Sequence, residues 1–269
     1  MATDLENIQR LLDRFKRPVP PGPEYQTRLA EEFELILNQR FTDYFLQICD
    51  IIDLTEDLTH MTRGSAGSSL VCYLLGITDV DPVQWRIPVA RFMNPLRDDL
   101  PDVDIDFEHW RQEEVMNRIF KKWPGMTARL SNYVTYKEKS ARREAAKRLG
   151  ATGNLPRNFT YEQIGVDPTE AKRIERKLLG KKRAISKHCG GIVMFTRQLP
   201  KSLITQDNQI LLDKHEIEDL EHLKVDILAN RGLSQLMEID PHTPLASYPH
   251  TDDRTAALLC RGDVLGVTQ

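Results

Sequence analysis

Cysteine is scarce in this 269-residue sequence, and long apolar segments are missing from it. The four cysteines are far apart and lack the paired spacing of zinc ligands or of a disulfide framework, so we expect buried, reduced thiols at Cys49, Cys72, Cys189 and Cys260. No apolar run is long enough to span a bilayer, and no repeat or low-complexity tract is evident. The first residues also lack the basic and apolar blocks of a signal peptide, and we therefore expect a cytoplasmic protein.

The composition is that of an ordinary globular protein, with 40% hydrophobic and 29% charged residues, enough for one large domain or two smaller ones. The net charge of -3 hides a strong segregation of positive and negative residues along the chain. Residues 137–187 contain 15 Lys or Arg against 6 Asp or Glu, so the remainder of the chain is strongly acidic. This pattern suits a protein that holds cations in one place and a polyanion in another, although a solvated helix face would also explain a basic run.

The segment 101–107, Pro-Asp-Val-Asp-Ile-Asp-Phe, is the clearest chemical signal. In a strand its side chains alternate, which puts Asp102, Asp104 and Asp106 on one face and apolar residues on the other. Neighbouring carboxylates in such a row are about 7 Å apart, and divalent cations can fit between them. Two such ions are the usual device for phosphoryl transfer, which indicates a polymerase or a nuclease. The alternative is a solvated edge strand.

Two further features favour a site over a solvated strand. The turn Arg63-Gly64-Ser65 continues into an apolar helix, and its backbone N–H groups, hydroxyl and helix dipole would suit a triphosphate. Close helix packing would also select such small residues. Asp226, in Lys224-Val225-Asp226-Ile227-Leu228, is an isolated acid among apolar residues. A buried carboxylate is costly unless it is paired or metal-bound, so Asp226 is a candidate third metal ligand.

Hydrophobic periodicity predicts an alternation of helices and strands after a Pro-rich linker at residues 17–23, and we expect the domain to start after this linker. The predicted helices cover residues 25–38, 42–54, 70–75, 108–123, 137–149 and 169–179, with another from about 230. The predicted strands cover residues 101–107, 128–136, 191–196, 210–214 and 223–228.

Several of these segments, in this order, resemble motifs of the C-family DNA polymerases, the bacterial DNA polymerase III alpha subunit. The resemblance covers about residues 25–269. Its motifs are Tyr44-Phe45-Leu46, residues 63–82, Arg91-Phe92-Met93-Asn94-Pro95, residues 101–107, Lys187-His188-Cys189-Gly190-Gly191 and residues 224–228. The family has Ala where this chain has Cys189.

The resemblance implies an α+β fold: a polymerase beta-like nucleotidyltransferase palm with a mixed sheet and an inserted small helical thumb. The implied organisation is an N-terminal tail and linker (1–23), a first part of the palm (24–136), the basic thumb (137–182), a second part of the palm (183–235) and the start of truncated fingers (236–269).

The resemblance also assigns roles to residues. Asp104, Asp106 and Asp226 would be the catalytic acids and would hold two Mg²⁺ ions, with Mn²⁺ as an alternative, and Asp102 would support them. Nucleotide binding would fall to Arg63, Gly64, Ser65, Lys187 and His188, and primer binding to Lys224. A second interpretation of His188 is a hydrogen-bonded histidine before a glycine turn. The thumb would grip the duplex backbone without reading bases.

The implied function is DNA-directed DNA polymerisation in replication, with primer-template DNA and dNTP as partners and no membrane. Family members have an N-terminal polymerase-and-histidinol-phosphatase domain, fuller fingers, a clamp-binding region and an OB-fold that lie outside this sequence. We therefore expect a fragment, or one part of a split enzyme with a separate fingers or clamp-binding polypeptide or other replisome subunits. Thr59-His60-Met61-Thr62 and Thr268 depart from the family pattern. A catalytically incompetent DNA-binding or replisome-regulating remnant and a metal-dependent nuclease are the alternatives.

Overall fold

The computed structural model describes residues 3–96, 101–195, 198–213, 216–217, 223–249 and 251–263. Three helices come first: α1 (Asp4–Leu12), α2 (Pro23–Asn38) and α3 (Thr42–Leu54). They are followed by β1 (His60–Arg63), α4 (Leu70–Leu74), β2 (Val103–Glu108), α5 (Gln112–Lys122), β3 (Thr127–Thr135), α6 (Glu138–Arg148), α7 (Pro168–Leu178), β4 (Lys182–Met194), β5 (Gln209–Asp213), β6 (Leu223–Asn230), α8 (Arg231–Ile239) and α9 (Asp253–Cys260).

The strands form one mixed sheet in the order β1-β2-β6-β4-β3-β5. β2 runs parallel to β6, and β3 runs parallel to β5, whereas the other neighbours are antiparallel. A parallel pair needs a long crossover connection, so β2 and β6 become neighbours only after the chain has passed through β3, β4 and β5. The expected α+β class with a mixed sheet is confirmed.

The main core lies on one face of β2 and β6. Ile105 and Phe107 are fully buried with Val225 and Ile227, and helices α3 and α5 contribute to the same apolar cluster. The alternation along β2 therefore directs its apolar side chains into the core and its aspartates to the other face. This agrees with the prediction made from the order of residues 101–107.

The N-terminal helix belongs to this core. Leu11 of α1 is fully buried in the main apolar cluster, and the Arg17 guanidinium donates to the carbonyl oxygens of Tyr73 and Thr78. The expectation that the domain starts after the Pro-rich linker was therefore wrong. Leu11 packs α1 against the main core, and Arg17 of the linker holds the chain against α4.

Helices α6 and α7 lie between β3 and β4 in sequence and pack against each other around a small apolar cluster of their own. Phe159 and Tyr161 are buried there, and the Arg142 guanidinium lies over both rings, 5.3 Å and 5.6 Å from their centroids. We call residues 138–178 the basic insert. Its core is separate from the main core, so its stability depends on few apolar residues.

Three local predictions need correction. β4 begins at Lys182, well before the predicted residue 191, because it pairs with β3 along most of its length. Cys189 and Cys260 are exposed, whereas Cys49 and Cys72 are buried as expected, and all four are free thiols. Residue 196 of the predicted strand 191–196, residue 214 of the predicted strand 210–214 and Thr268, which departs from the family pattern, lie outside the described residues.

No described helix is both long and apolar enough to span a membrane.

Candidate active site

Asp104 of β2 and Asp226 of β6 are directly paired across the parallel strands. Arg63 of β1 is the Cα partner of Asp104 on its other side, and Gly191 of β4 is the Cα partner of Asp226. Four strands therefore bring one basic residue, two acids and one glycine into a single row across the sheet. Sequence alone suggested that these residues act together, and the strand register places them side by side.

Asp106, two residues further along β2, is held by two donors. Its side chain is only 2% exposed; Oδ1 lies 3.2 Å from Nε of Arg63, and Oδ2 accepts a hydrogen bond of 2.8 Å from Nδ2 of Asn230. A buried carboxylate needs such partners to remain charged. Asn230 was not predicted as a site residue, because nothing in the local sequence connects it to β2.

One oxygen of Asp226 has no hydrogen-bond partner in the part of the chain that the structure describes. This atom, Oδ1, is buried and lies 3.7 Å from Nδ1 of His188. Nδ1 already accepts N–H groups from Gly191, at 2.6 Å, and Gly190, at 3.3 Å. A ring nitrogen that accepts carries no proton, so it cannot donate to Asp226. His188 is thus hydrogen-bonded at the glycines, as one interpretation expected, and also lies beside the acids.

The pKa of Asp104 is raised above its ordinary value. Partial burial is the main cause, followed by the negative charge of Asp226 next to it, while the Arg63 guanidinium acts in the opposite direction. Two carboxylates this close repel each other unless a cation is shared between them. The acidic face, which we define as Asp102, Asp104, Asp106 and Asp226, is therefore an unfavourable concentration of charge by itself.

Lys224 partly offsets this charge. Its Nζ lies 3.2 Å from Oδ1 of Asp102 and 3.7 Å from Oδ2 of Asp226, and its side chain is 15% exposed. Lys224 therefore lies at the edge of the acidic face, and its role in primer binding stays a prediction. Lys187 differs, because its Nζ lies 3.5 Å from Oδ2 of Asp207 in the segment before β5. His188 therefore lies beside Asp226, whereas Lys187 is paired with Asp207.

The turn at residues 63–69 contains a short 3₁₀ helix, Gly64–Ser68, beside the acidic face. Gly64 has a φ of 78°, a left-handed conformation that favours glycine, and a Cβ at this position would lie 3.6 Å from Oδ2 of Asp104. Gly64 and Ser65 thus lie next to the carboxylates. Arg63, 54% exposed, leads into the same turn.

The N-terminus of α4 is not open to a ligand. Glu32 of α2 is completely buried and accepts hydrogen bonds from the backbone N–H groups of Leu70 and Val71, at 2.8 Å and 2.9 Å, and from the Ser69 hydroxyl. The expectation that this helix dipole faces a triphosphate was therefore wrong, since a carboxylate of the protein already occupies that end. Glu32 is a structural residue of the turn that sequence reasoning missed.

Gly190 allows β4 to approach β6 closely, and Gly191 leaves room for the His188 ring and for Leu130 of β3. A Cβ at Gly190 would lie 2.4 Å from the carbonyl oxygen of Ile227, and one at Gly191 would lie 2.7 Å from Nδ1 of His188. Both distances are too short for a side chain. Between the pairs Ser131–Lys187 and Arg129–Ile192 the register of β4 shifts, which leaves these glycines in an irregular segment that presents His188 to Asp226.

The acidic face has ligands of the type that Mg²⁺ and Mn²⁺ prefer, because all of them are carboxylate oxygens. With the side chains as they lie, no three Asp, Glu, His or Cys residues of the described ranges converge on one point as a metal site requires. Arg63, Asn230 and Lys224 hold the carboxylates instead. The buried, unpaired Oδ1 of Asp226 still fits a cation, since a buried oxygen of this kind needs a positive partner.

Residues 5–229 match the family model of the bacterial DNA polymerase III alpha NTPase domain. This match covers most of the chain and includes β2, the turn at residues 63–69 and all of β6 except its last residue, Asn230. The chain therefore belongs to the bacterial DNA polymerase III alpha family.

The curated relatives carry a more specific name. Error-prone DNA polymerase of Saccharophagus degradans (strain 2-40) is 32% identical over 310 residues, covering 100% of this chain and 30% of the relative. The proteins of the same name from Burkholderia mallei and Bradyrhizobium diazoefficiens are also 32% identical, over 94% and 90% of this chain. The chain spans less than a third of the length of each of these relatives.

Proposed function

We propose that this chain forms the palm and thumb of a DNA-directed DNA polymerase and supports nucleotidyl transfer from a dNTP to a primer 3'-hydroxyl. The observation that carries the proposal is the in-register pairing of Asp104 with Asp226, whose buried Oδ1 has no hydrogen-bond partner among the described residues. Family membership and relatives named error-prone DNA polymerase support the same reaction.

Asp104, Asp106 and Asp226 would hold two divalent ions, Mg²⁺ or Mn²⁺. When bound, such ions activate the attacking hydroxyl and neutralise charge on the triphosphate. Asp226 would offer its buried Oδ1 to a divalent ion, and Asp106 would exchange its contact with Arg63 for a contact with the ion. Arg63, once released, is beside Gly64 and Ser65, where a guanidinium can bind phosphate oxygens in a bidentate manner.

His188 and Lys224 flank the acids from two sides. Because Nδ1 of His188 accepts two backbone N–H groups, its Nε2 carries the proton and can donate to a phosphate oxygen. Lys224 lies beside Asp102 and Asp226, and this position supports the proposal that its ammonium group would neutralise a primer phosphate. The role of Lys187 in nucleotide binding remains a prediction that requires it to leave Asp207.

The basic insert would hold the duplex. A groove of about 420 Å³ lies between α6 and α7, and its charged lining has an excess of cations: Lys139, Arg142, Lys172 and Arg176 against Glu138 and Glu175. Long cationic side chains in a row can neutralise successive phosphates without reading bases. The acidic face and the basic insert thus occupy separate parts of the chain, as the charge segregation in the sequence indicated.

The test combines a binding assay with an activity assay. Mn²⁺ binding is measured by electron paramagnetic resonance with the wild-type chain and with Asp104→Asn, Asp226→Asn and Asp43→Asn, the last being an exposed residue of α3. We expect the two acidic-face variants to lose Mn²⁺ binding about 100-fold and Asp43→Asn to keep it. Primer extension with Mg²⁺ or Mn²⁺ is followed in parallel, alone and with a polypeptide that supplies fingers.

A wild-type chain that neither binds Mn²⁺ nor incorporates nucleotides in either setting, although it is folded, would contradict the proposal. DNA degradation that disappears in Asp104→Asn would assign the same acids to a nuclease.

A further inference from the structure

We infer that Asn230 is a positioning residue, which fixes the carboxylate of Asp106 through one end of its amide while capping α8 with the other. The inference rests on the proposed function, because it takes Asp106 to be a metal ligand. It concerns a residue that no motif singled out, at the junction of β6 and α8.

Both ends of the Asn230 amide are engaged. Oδ1 accepts a hydrogen bond of 2.9 Å from the backbone N–H of Leu233, which caps the first turn of α8. Nδ2 donates to Oδ2 of Asp106 at 2.8 Å. The reverse orientation of the amide would set NH₂ against N–H and oxygen against a carboxylate, so the cap fixes which end faces Asp106.

The surrounding contacts make this arrangement rigid. The Ser234 hydroxyl donates to the carbonyl oxygen of Asn230 at 2.7 Å, and it accepts the backbone N–H of His109, just after β2, at 2.8 Å. Asn230 is also the Cα partner of Glu108 at the end of the parallel pair. The ends of β2 and β6 and the start of α8 are therefore connected at one point, and the Asp106 carboxylate inherits its orientation from that point.

A neutral donor suits this position better than a cation would. Arg63 also contacts Asp106, but a guanidinium cancels the charge that attracts a metal ion. The amide of Asn230 orients Oδ2 and, being neutral, adds no charge that would offset that of the carboxylate. Asn230 therefore prepares Asp106 to exchange Arg63 for a divalent ion.

The discriminating variant is Asn230→Ser, measured beside Ser234→Ala. Serine keeps an acceptor for the helix cap but cannot reach Asp106, whereas Ser234→Ala loosens the same junction and leaves the amide in contact with the carboxylate. We expect the Mn²⁺ dissociation constant, determined by electron paramagnetic resonance, to rise about 10-fold in Asn230→Ser and by a clearly smaller factor in Ser234→Ala, which keeps the amide in contact with the carboxylate. The midpoint of thermal unfolding is measured for both variants, so that their Mn²⁺ affinities can be compared at known losses of stability.

Wild-type Mn²⁺ affinity in folded Asn230→Ser, or an equal loss in both variants, would overturn the inference while the proposed function stands. A folded wild-type chain that neither binds Mn²⁺ nor incorporates nucleotides would remove the proposed function and this inference together.

A second measurement needs neither metal nor variant. In the wild-type chain, the side-chain NH₂ of Asn230 should show one proton shifted downfield and protected from solvent exchange, as a donor to a buried carboxylate. Solvent-like shifts and fast exchange of both protons would overturn the inference even if Asn230→Ser failed to fold.

Discussion

Asp104 and Asp226 are Cα partners on adjacent parallel strands, although β3, β4, β5 and the basic insert separate them in sequence. The pKa of Asp104 is raised by burial and by Asp226, so the pairing lowers the stability of the fold without cations. A site arranged in this way holds unfavourable charge in place for a ligand that the fold itself does not provide.

Asp104→Asn should therefore stabilise the protein in chelator. Because the folded-state pKa of Asp104 lies above its unfolded value, the wild type loses stability as pH rises from below the unfolded pKa through the folded one. The variant escapes this loss, so its advantage is absent at about pH 3 and complete at pH 7. We expect a gain below about 1 kcal/mol, since Asp104 is only half-buried and solvent screens its charge.

Thermal unfolding at the two pH values with EDTA measures this gain, with Asp43→Asn as the control that should show no pH-dependent advantage. A variant less stable than wild type at pH 7 would contradict the electrostatic argument.

Glu32→Gln should destabilise the protein by about 3 kcal/mol. Glu32 accepts from Leu70 and Val71 and pairs with Nε of Arg28 at 2.6 Å, so the change leaves a nearly buried guanidinium without its counter-charge. Urea denaturation gives the free energy of unfolding. Glu31→Gln, on the exposed side of the same helix, should change it by less than about 0.5 kcal/mol. Equal effects of the two variants would refute the structural role of Glu32.

Gly190→Ala should disturb the pairing of β4 with β6. The new Cβ would meet the carbonyl oxygen of Ile227 at 2.4 Å and Cδ2 of Leu228 at 2.6 Å, so a strand must shift, at a cost of about 1–3 kcal/mol. Gly67→Ala is the matched change, because its Cβ would make only ordinary contacts at 3.6 Å with Val80. Denaturation curves compare the two. A Gly190→Ala protein as stable as Gly67→Ala would show that β4 lies farther from β6 than described.

Phe159→Ala should unfold the basic insert without unfolding the sheet. Removing a buried phenylalanine costs about 3–5 kcal/mol, and the small cluster around Phe159 and Tyr161 has few other contacts to offset the loss. Hydrogen exchange should speed up in α6 and α7 and remain slow in β2 and β6. The exposed Leu179→Ala serves as control. Equal loss of protection in the sheet would mean that the insert and the main core unfold as one unit.

Much of this fold could be predicted from short-range patterns. Helix α3 begins and ends where the apolar periodicity placed it, and β2 follows the alternation of residues 101–107 to within two residues. β4 was underestimated, since Lys182–Lys187 has the composition of a solvated segment and becomes a strand only through pairing with β3. The docking of α1 was missed although this segment is amphipathic, because an apolar face does not show which part of the chain covers it.

In the candidate site too, short-range patterns predicted some features and tertiary contacts set the others. Local order in the sequence indicated the types and faces of Asp104, Asp106 and Asp226, and the glycines beside His188. It could not indicate that Glu32 closes the end of α4 or that Asn230 orients Asp106, since each contact joins residues far apart in the chain.

The amino-acid sequence by itself determined which face of β2 is acidic, where the positive charge is concentrated and which family the chain resembles, because alternation and composition act over a few residues. Only the tertiary structure decided that Asp104 and Asp226 are neighbours and that one oxygen of Asp226 has no hydrogen-bond partner within the described part of the chain. It also decided that Arg63, Asn230 and Lys224 contact the carboxylates of the acidic face. Strand register is set by packing across the whole core, and no local pattern contains it.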